Sequence, residues 1–321
     1  MPPVNRVDPL MALHDLEVDT ALDASDIASA VEDAVAATYR RMVEDDPRIR
    51  ARVDLAGGQW QVFRATADGD EPVDVALPDF PRQAAAAARQ AVGERLAEAG
   101  RQRVLAQAEQ RQGQLIDAIV QRPAGPAWHL DAAGVPGLLP PDEQIPGERL
   151  QRQQHLKVVV LEGRRRMQDA VLVVSRSHPL LLQRLLEQEV PELQTGQVVI
   201  RDIAREPGRR TKVAVEAPAG DIDPQGACIG PRGVRQRAVT GELGEEQVQI
   251  VAWSAEPATY VANALIPATV LRVTLDDATH TARAEVPADQ LSLAIGRSGE
   301  NARLAAKLTG WRIDIHAANA P

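Results

Sequence analysis

Two segments of this chain repeat one another, and the repeat limits the possible folds more tightly than any other feature. "GACIGPRGVRQRAV" (residues 226–239) and "LSLAIGRSGENARL" (residues 291–304) each set a Gly-x-x-Gly loop between two helix-like runs, with Gly230 and Gly296 standing 66 residues apart. The surroundings repeat as well. "QVVIRDIAREPGRRTKVAVEA" and "ATVLRVTLDDATHTARAEVP" alternate polar and apolar residues as hairpin strands do, and "VQIVAWS" and "WRIDIHA" close each copy with a further strand. The order strand, strand, helix, loop, helix, strand thus occurs twice, which calls for two small α+β modules in tandem.

The loops do not suit a nucleotide cofactor. A dinucleotide fold needs Gly-x-Gly-x-x-Gly directly after a strand, and a P-loop needs Gly-x-x-x-x-Gly-Lys-Ser/Thr; neither pattern occurs at these sites. No cofactor or metal is therefore expected. A helix–Gly-x-x-Gly–helix followed by a strand is instead the plan of an RNA-binding KH module. Glycines at both ends let the backbone turn sharply and approach phosphates, and the N-terminus of the next helix adds partial positive charge. The candidate RNA-binding residues are Gly230, Pro231, Arg232, Gly233, Arg235 and Arg237 in the first copy and Gly296, Arg297, Ser298, Gly299 and Arg303 in the second. Ala227, Ile229, Ala294 and Ile295 either line a groove for the bases or are ordinary core.

Upstream, "GQLIDAIVQRP", "AWHLDAAGVPGLLP", "HLKVVVLEGRR" and "QDAVLVVSRS" are short β runs punctuated by Gly and Pro, the texture of a small closed barrel of the oligonucleotide-binding type. Trp128 is either a stacking platform for a base or barrel core, because neighbours on a strand face opposite ways and only one of Trp128 and His129 can point outward. Arg164, Arg165 and Arg166 form a compact cationic site or a solvated hairpin tip. The first third reads as helix over residues 11–42, with Ile27, Val31, Val35 and Tyr39 as a buried stripe. Three short strands follow in "RIRARVDL", "GQWQVFRAT" and "PVDVALP", then a long Ala-rich helix. Residues 1–100 carry 10 basic and 19 acidic side chains, whereas the rest is close to neutral. That acidity is either a docking surface for a basic protein partner or a solvated face.

Taken together, "SRSHPLLLQRLLEQEVPEL", "AREPGRRTKVAV", "GACIGPRG", "ANAL" and "DQLSLAIGRSGENARLAAKLTGWRIDI" closely resemble the bacterial NusA family of transcription termination/antitermination factors. The resemblance is strong over residues 140–316 and order-preserving over 10–110, and it looks most like the shorter actinobacterial members without C-terminal acidic repeats. It implies an α+β multidomain chain. An N-terminal helix-plus-sheet domain with its connector helix (1–106) would bind RNA polymerase. An S1-type β-barrel (107–179), a linker helix (180–196) and two tandem type II KH domains (197–268 and 269–317), before a tail at 318–321, would bind nascent single-stranded RNA. It further implies a role in pausing, intrinsic termination and antitermination, with other antitermination factors as further partners and the chain itself a monomer. Two departures stand out. Glu300 follows the second loop where the family has a neutral glutamine, so this loop is expected to grip phosphate less strongly than the first. Gln247 replaces a family lysine.

Catalysis is not expected. The six histidines are scattered without metal-ligand spacing, His178 reads as structural, and Cys228 reads as a buried small hydrophobe. The single cysteine, the absence of an apolar signal segment and the absence of a membrane-length apolar run point to the cytoplasm. The rival reading is a general KH/S1 RNA-binding protein of RNA processing or ribosome assembly, which would not need the acidic N-terminal domain.

Overall fold

The computed structural model describes residues 24–54, 57–167 and 169–318, so the expected helix over 11–23 and the tail beyond 318 lie outside the described residues. The chain divides into two compact units.

In the first unit, α1 (Ala24–Met42) buries the stripe Ile27, Val31, Val35 and Tyr39. The antiparallel sheet β1 (Ile49–Asp54), β2 (Gln59–Thr66) and β3 (Gly69–Pro72) packs beside it. The third strand comes earlier than the expected 72–78. The chain reverses just after β2, Gly69 takes φ +126°, and pairing runs at once from Thr66↔Gly69 to Phe63↔Pro72. α2 (Phe80–Arg111) buries Phe80, Ala84 and Ala88 at four-residue spacing. The Phe80 ring meets Tyr39 and Trp60 edge-on at centroid distances of 5.8 and 5.3 Å, the favourable arrangement for aromatic quadrupoles.

In the second unit, β4 (Leu115–Ala124), β5 (Ala127–Ala132), β6 (Val135–Leu139), β7 (His155–Arg165) and β8 (Ala170–Ser175) close a barrel in the order β4-β5-β6-β8-β7. The tip of the β7–β8 hairpin, Gly163–Val171, groups with the first unit rather than with the barrel expected over 107–179. The first repeat follows as α3 (Pro179–Glu189), α4 (Pro191–Gln194), β9 (Val199–Glu206), β10 (Arg210–Glu216), α5 (Pro224–Ile229), α6 (Val234–Glu242) and β11 (Gln247–Ala252). The second is α7 (Pro257–Ala264), β12 (Arg272–Asp276), β13 (Thr281–Val286), α8 (Leu291–Ile295), α9 (Glu300–Thr309) and β14 (Arg312–Ala317). Each sheet has one antiparallel and one parallel pairing in the same order, β11-β10-β9 and β12-β13-β14.

The module edges differ from the expected ones. Leu181, Leu182, Leu185 and Leu186 of α3 share a core with Val213, Val215, Val239, Val248 and Ile250, so the helix expected as a linker at 180–196 opens the first module. Likewise α7, expected to end that module, packs its Val261 and Ala264 with Ala282, Leu304, Ala305 and Leu308, which makes it the opening helix of the second. Both modules therefore run α–β–β–α–α–β. An apolar helix stripe has to be covered, and the open face of each three-stranded sheet is what covers it.

The first module's sheet is buried on both faces. Ala204, Ala214 and Val251 on its second face join the core of the second module, where small side chains allow close approach. Lys212 lies on that face with no exposed surface. Its Nζ donates to Gln249 Oε1 at 2.7 Å and to the carbonyl of Ile266 at 2.9 Å. Burial, with help from Arg210, pushes its pKa down to about 7. From pH 7 upward the unfolded chain still holds this proton and the folded chain does not, so stability must rise with pH over that window. Between pH 6.5 and 9 the unfolding free energy of the native chain, measured in urea, is expected to gain about 2.5 kcal/mol relative to Lys212→Met, at about 1.36 kcal/mol per pH unit. Parallel pH responses of the two proteins would show that Lys212 stays charged in place.

Candidate nucleic-acid interface

The two loops have the same backbone. Gly230 (φ 73°, ψ 171°) matches Gly296 (76°, 169°), Arg232 (53°, 24°) matches Ser298 (54°, 27°), and Gly233 (73°, 21°) matches Gly299 (75°, 13°). The first glycine of each loop is required twice over. Its φ is left-handed, and a Cβ there would stand 2.8 Å from the Asn301 backbone nitrogen in the second copy and 2.7 Å from Arg235 Cγ in the first. The loops close through Gly233 N–H to Gly230 O at 2.9 Å and Gly299 N–H to Gly296 O at 3.1 Å. Neither α6 nor α9 has a side-chain cap, so first-turn N–H groups face outward at a positive helix end, the arrangement that binds phosphate.

The matching register separates two cations expected to serve alike. Arg232 is the third loop residue and Arg297 the second, so their counterparts are Ser298 and Pro231. Both arginines are exposed and have no side-chain partner among the described residues. The flanking arginines are engaged. Arg235 Nη1 donates to Glu192 at 2.8 Å and to the Ala227 carbonyl at 2.6 Å, fastening the module together. Arg237 donates to the Arg232 carbonyl at 2.6 Å. Arg303 forks onto Glu206 at 2.6 and 2.9 Å and holds Glu206 below the usual carboxylate range.

Glu300 opens α9 directly after the second loop, as the sequence reading has it, but its carboxylate turns to the first module. Its side chain is nearly buried, with Oε1 3.3 Å from Arg209 Nε and Oε2 3.7 Å from Arg210 Nε, both from the first module's hairpin. Its charge is neutralised there, which removes the reason for ranking the second loop below the first. Gln247 accepts from Arg210 Nη2 at 2.8 Å. Ala294 is core with Ala268 and Val286, whereas Leu293 and Ile295 are exposed beside the second loop. Leu293 is a surface residue that the sequence reading does not single out.

On the barrel, Trp128 shares a strand face with the buried Leu130 and Ala132. His129 and Asp131 take the other face, and with Arg122, Val135 and Arg152 they line an open concavity of about 420 Å³. Alternation thus favours core for Trp128 and groove for His129. Arg164, Arg165 and Arg166 are exposed at the hairpin tip, with Arg165 paired to Glu98 of α2 at 2.5 Å.

Residues 176–253 match the NusA-like first KH domain, and residues 257–320 match the NusA-like second KH domain. The transcription termination/antitermination protein NusA of Halalkalibacterium halodurans is 37% identical, an alignment covering 95% of this chain and 86% of that protein. This chain belongs to the NusA family. The NusA of Bacillus subtilis is 36% identical over 95% of this chain and 90% of its own length, and that of Mycobacterium tuberculosis is 36% identical over 95% and 92%. In this NusA-family chain the matched boundaries agree with α3 and α7 as the opening helices of the two KH modules.

Other chemistry finds little support in the same residues. Cys228 is fully buried and its thiol is pushed up to about 12, so no thiolate nucleophile is available near neutrality. His178 caps α3, its Nδ1 accepting from Leu180 N–H. Among the described residues no group of His, Cys, Asp and Glu is placed to hold a metal ion, and no helix is long and apolar enough to cross a membrane. In the first unit, Asp68, Asp70, Glu71, Asp74 and Asp79 are exposed, Asp70 beside Arg52 and Asp79 beside Arg82, whereas Asp46 is held at about 2 by Arg48.

Proposed function

We propose that this chain is an RNA-binding transcription factor that engages RNA polymerase and nascent single-stranded RNA and modulates pausing, intrinsic termination and antitermination. The observation that carries the reading is the repeated loop backbone, present twice with matching dihedrals in a NusA-family chain. The loop N–H groups with Arg232 and Arg297 would hold phosphates. The barrel groove at Arg122, His129 and Arg152 would take further nucleotides. The exposed carboxylates of the first unit are suited to a basic surface on the polymerase. Near-neutral charge in the RNA-binding part suits weak contacts raised by tethering to the enzyme.

The test is transcription by purified polymerase through a pause site and an intrinsic terminator, with and without the full chain. Pause lifetime and terminated fraction are expected to change, and the chain is expected to co-purify with polymerase. RNA binding without either effect would favour a general RNA-binding protein instead.

A further inference from the structure

RNA binding alone does not explain the way the third residue of each loop is held. That residue, Arg232 or Ser298, is a non-glycine in the left-handed region, a conformation that L side chains disfavour. In both copies an arginine five positions on reaches back to its carbonyl: Arg237 Nη1 to Arg232 O at 2.6 Å, and Arg303 Nη1 to Ser298 O at 3.4 Å. In the second copy the same guanidinium is also held by both carboxylate oxygens of Glu206. Glu206 ends β9 in the first module. The turn that follows is itself fixed, since the Gly208 N–H donates to the buried Glu246. A continuous set of interactions therefore runs from the first module's turn through Glu206 and Arg303 to the backbone of the second loop.

We propose that Arg303 is a positioning residue rather than a phosphate ligand, and that Glu206 acts through it to set the second loop for RNA. The proposal rests on the reading that the loops bind RNA. It makes the second loop's competence depend on the first module, and it assigns Arg237 the same bracing role.

Charge alone and positioning give opposite signs at Glu206. Removing a carboxylate near a phosphate site should tighten RNA binding if only the field matters. Positioning requires Glu206→Gln to weaken it, because the fork that orients Arg303 is lost. The experiment measures binding of a fluorescent single-stranded RNA to the full chain against salt concentration, for Glu206→Gln, Arg303→Met and, as control, Arg297→Ala. The expected result is a loss of about three- to tenfold for Glu206→Gln and Arg303→Met, the range of one modest hydrogen bond, with the salt slope unchanged. Arg297→Ala should reduce the slope by about 0.7, one phosphate on a single strand. Shifted Ser298 and Gly299 amide resonances in both positioning variants, with thermal unfolding unchanged, would support the brace. Tighter or unchanged binding in Glu206→Gln, or a reduced slope in Arg303→Met, would overturn it. An Arg297→Ala control without effect would count against RNA binding by this loop and not against the brace.

Discussion

Glu246→Ala is expected to cost the first KH module about 3–5 kcal/mol, the cost of leaving a buried charge unpaired. The Glu246 side chain has no exposed surface and that of Arg205 is 1% exposed. Glu246 accepts twice from Arg205 at 2.9 Å, from Thr211 Oγ1 at 2.7 Å and from the Gly208 N–H at 3.0 Å. Alanine would leave a guanidinium, a hydroxyl and an amide without their acceptor in the interior. For a module of this size the loss corresponds to a fall in the unfolding temperature of roughly 15 °C or more. Arg205→Met with Glu246→Leu should recover much of it, because an apolar pair removes the stranded charge along with its partner. A fall of only a few degrees in Glu246→Ala would mean that water reaches Arg205. RNA binding should suffer with stability, since the turn that Glu246 holds also carries Glu206, Arg209 and Arg210 to α9.

Glu246 and the loops differ sharply in how far the sequence reveals them. The repeated order and the Gly-x-x-Gly loops are legible because periodicity and left-handed backbone leave local marks: Gly230 and Gly296 have to be glycine, and residues 197–217 and 268–287 have to alternate. The opening helices are also in view. "HPLLLQRLLEQEV" and "EPATYVANAL" precede the two strand pairs in the same way, and reading the first as a linker overlooks that symmetry. The charge pairings are not legible. Glu300 finds Arg209, Arg303 finds Glu206 and Arg235 finds Glu192 across long sequence separations. Folding of the first module brings the last pair together, and packing of the second module on the first module's sheet makes the other two. An isolated arginine in a basic stretch looks like a phosphate ligand until its partner is known. Trp128 and His129 illustrate the intermediate case, where alternation restricts the choice to two residues and only the folded barrel shows that His129 lines the concavity.

The largest functional effect is expected from the loops themselves. Replacing Pro231 and Arg232 in one, and Arg297 and Ser298 in the other, by aspartate puts carboxylates where phosphates would sit. All four side chains are exposed, and aspartate tolerates the left-handed backbone at the third position better than most residues, so the fold should survive. Because the two loops share one geometry and Glu300 is neutralised, each pair of substitutions should weaken RNA binding by a similar factor. The four together should cost at least about tenfold, or about 1.4 kcal/mol. The loss should be alike for different RNA sequences, since phosphate-binding groups carry no base information. The most direct test of the two-loop clamp is a salt titration of RNA binding by the native full chain and the four-substitution variant, with both shown to be folded. The expected result is weaker binding by the variant and a shallower dependence of log affinity on log salt, by about 0.7 for each phosphate no longer held. Equal affinity and equal slope would contradict the claim that these loops hold RNA.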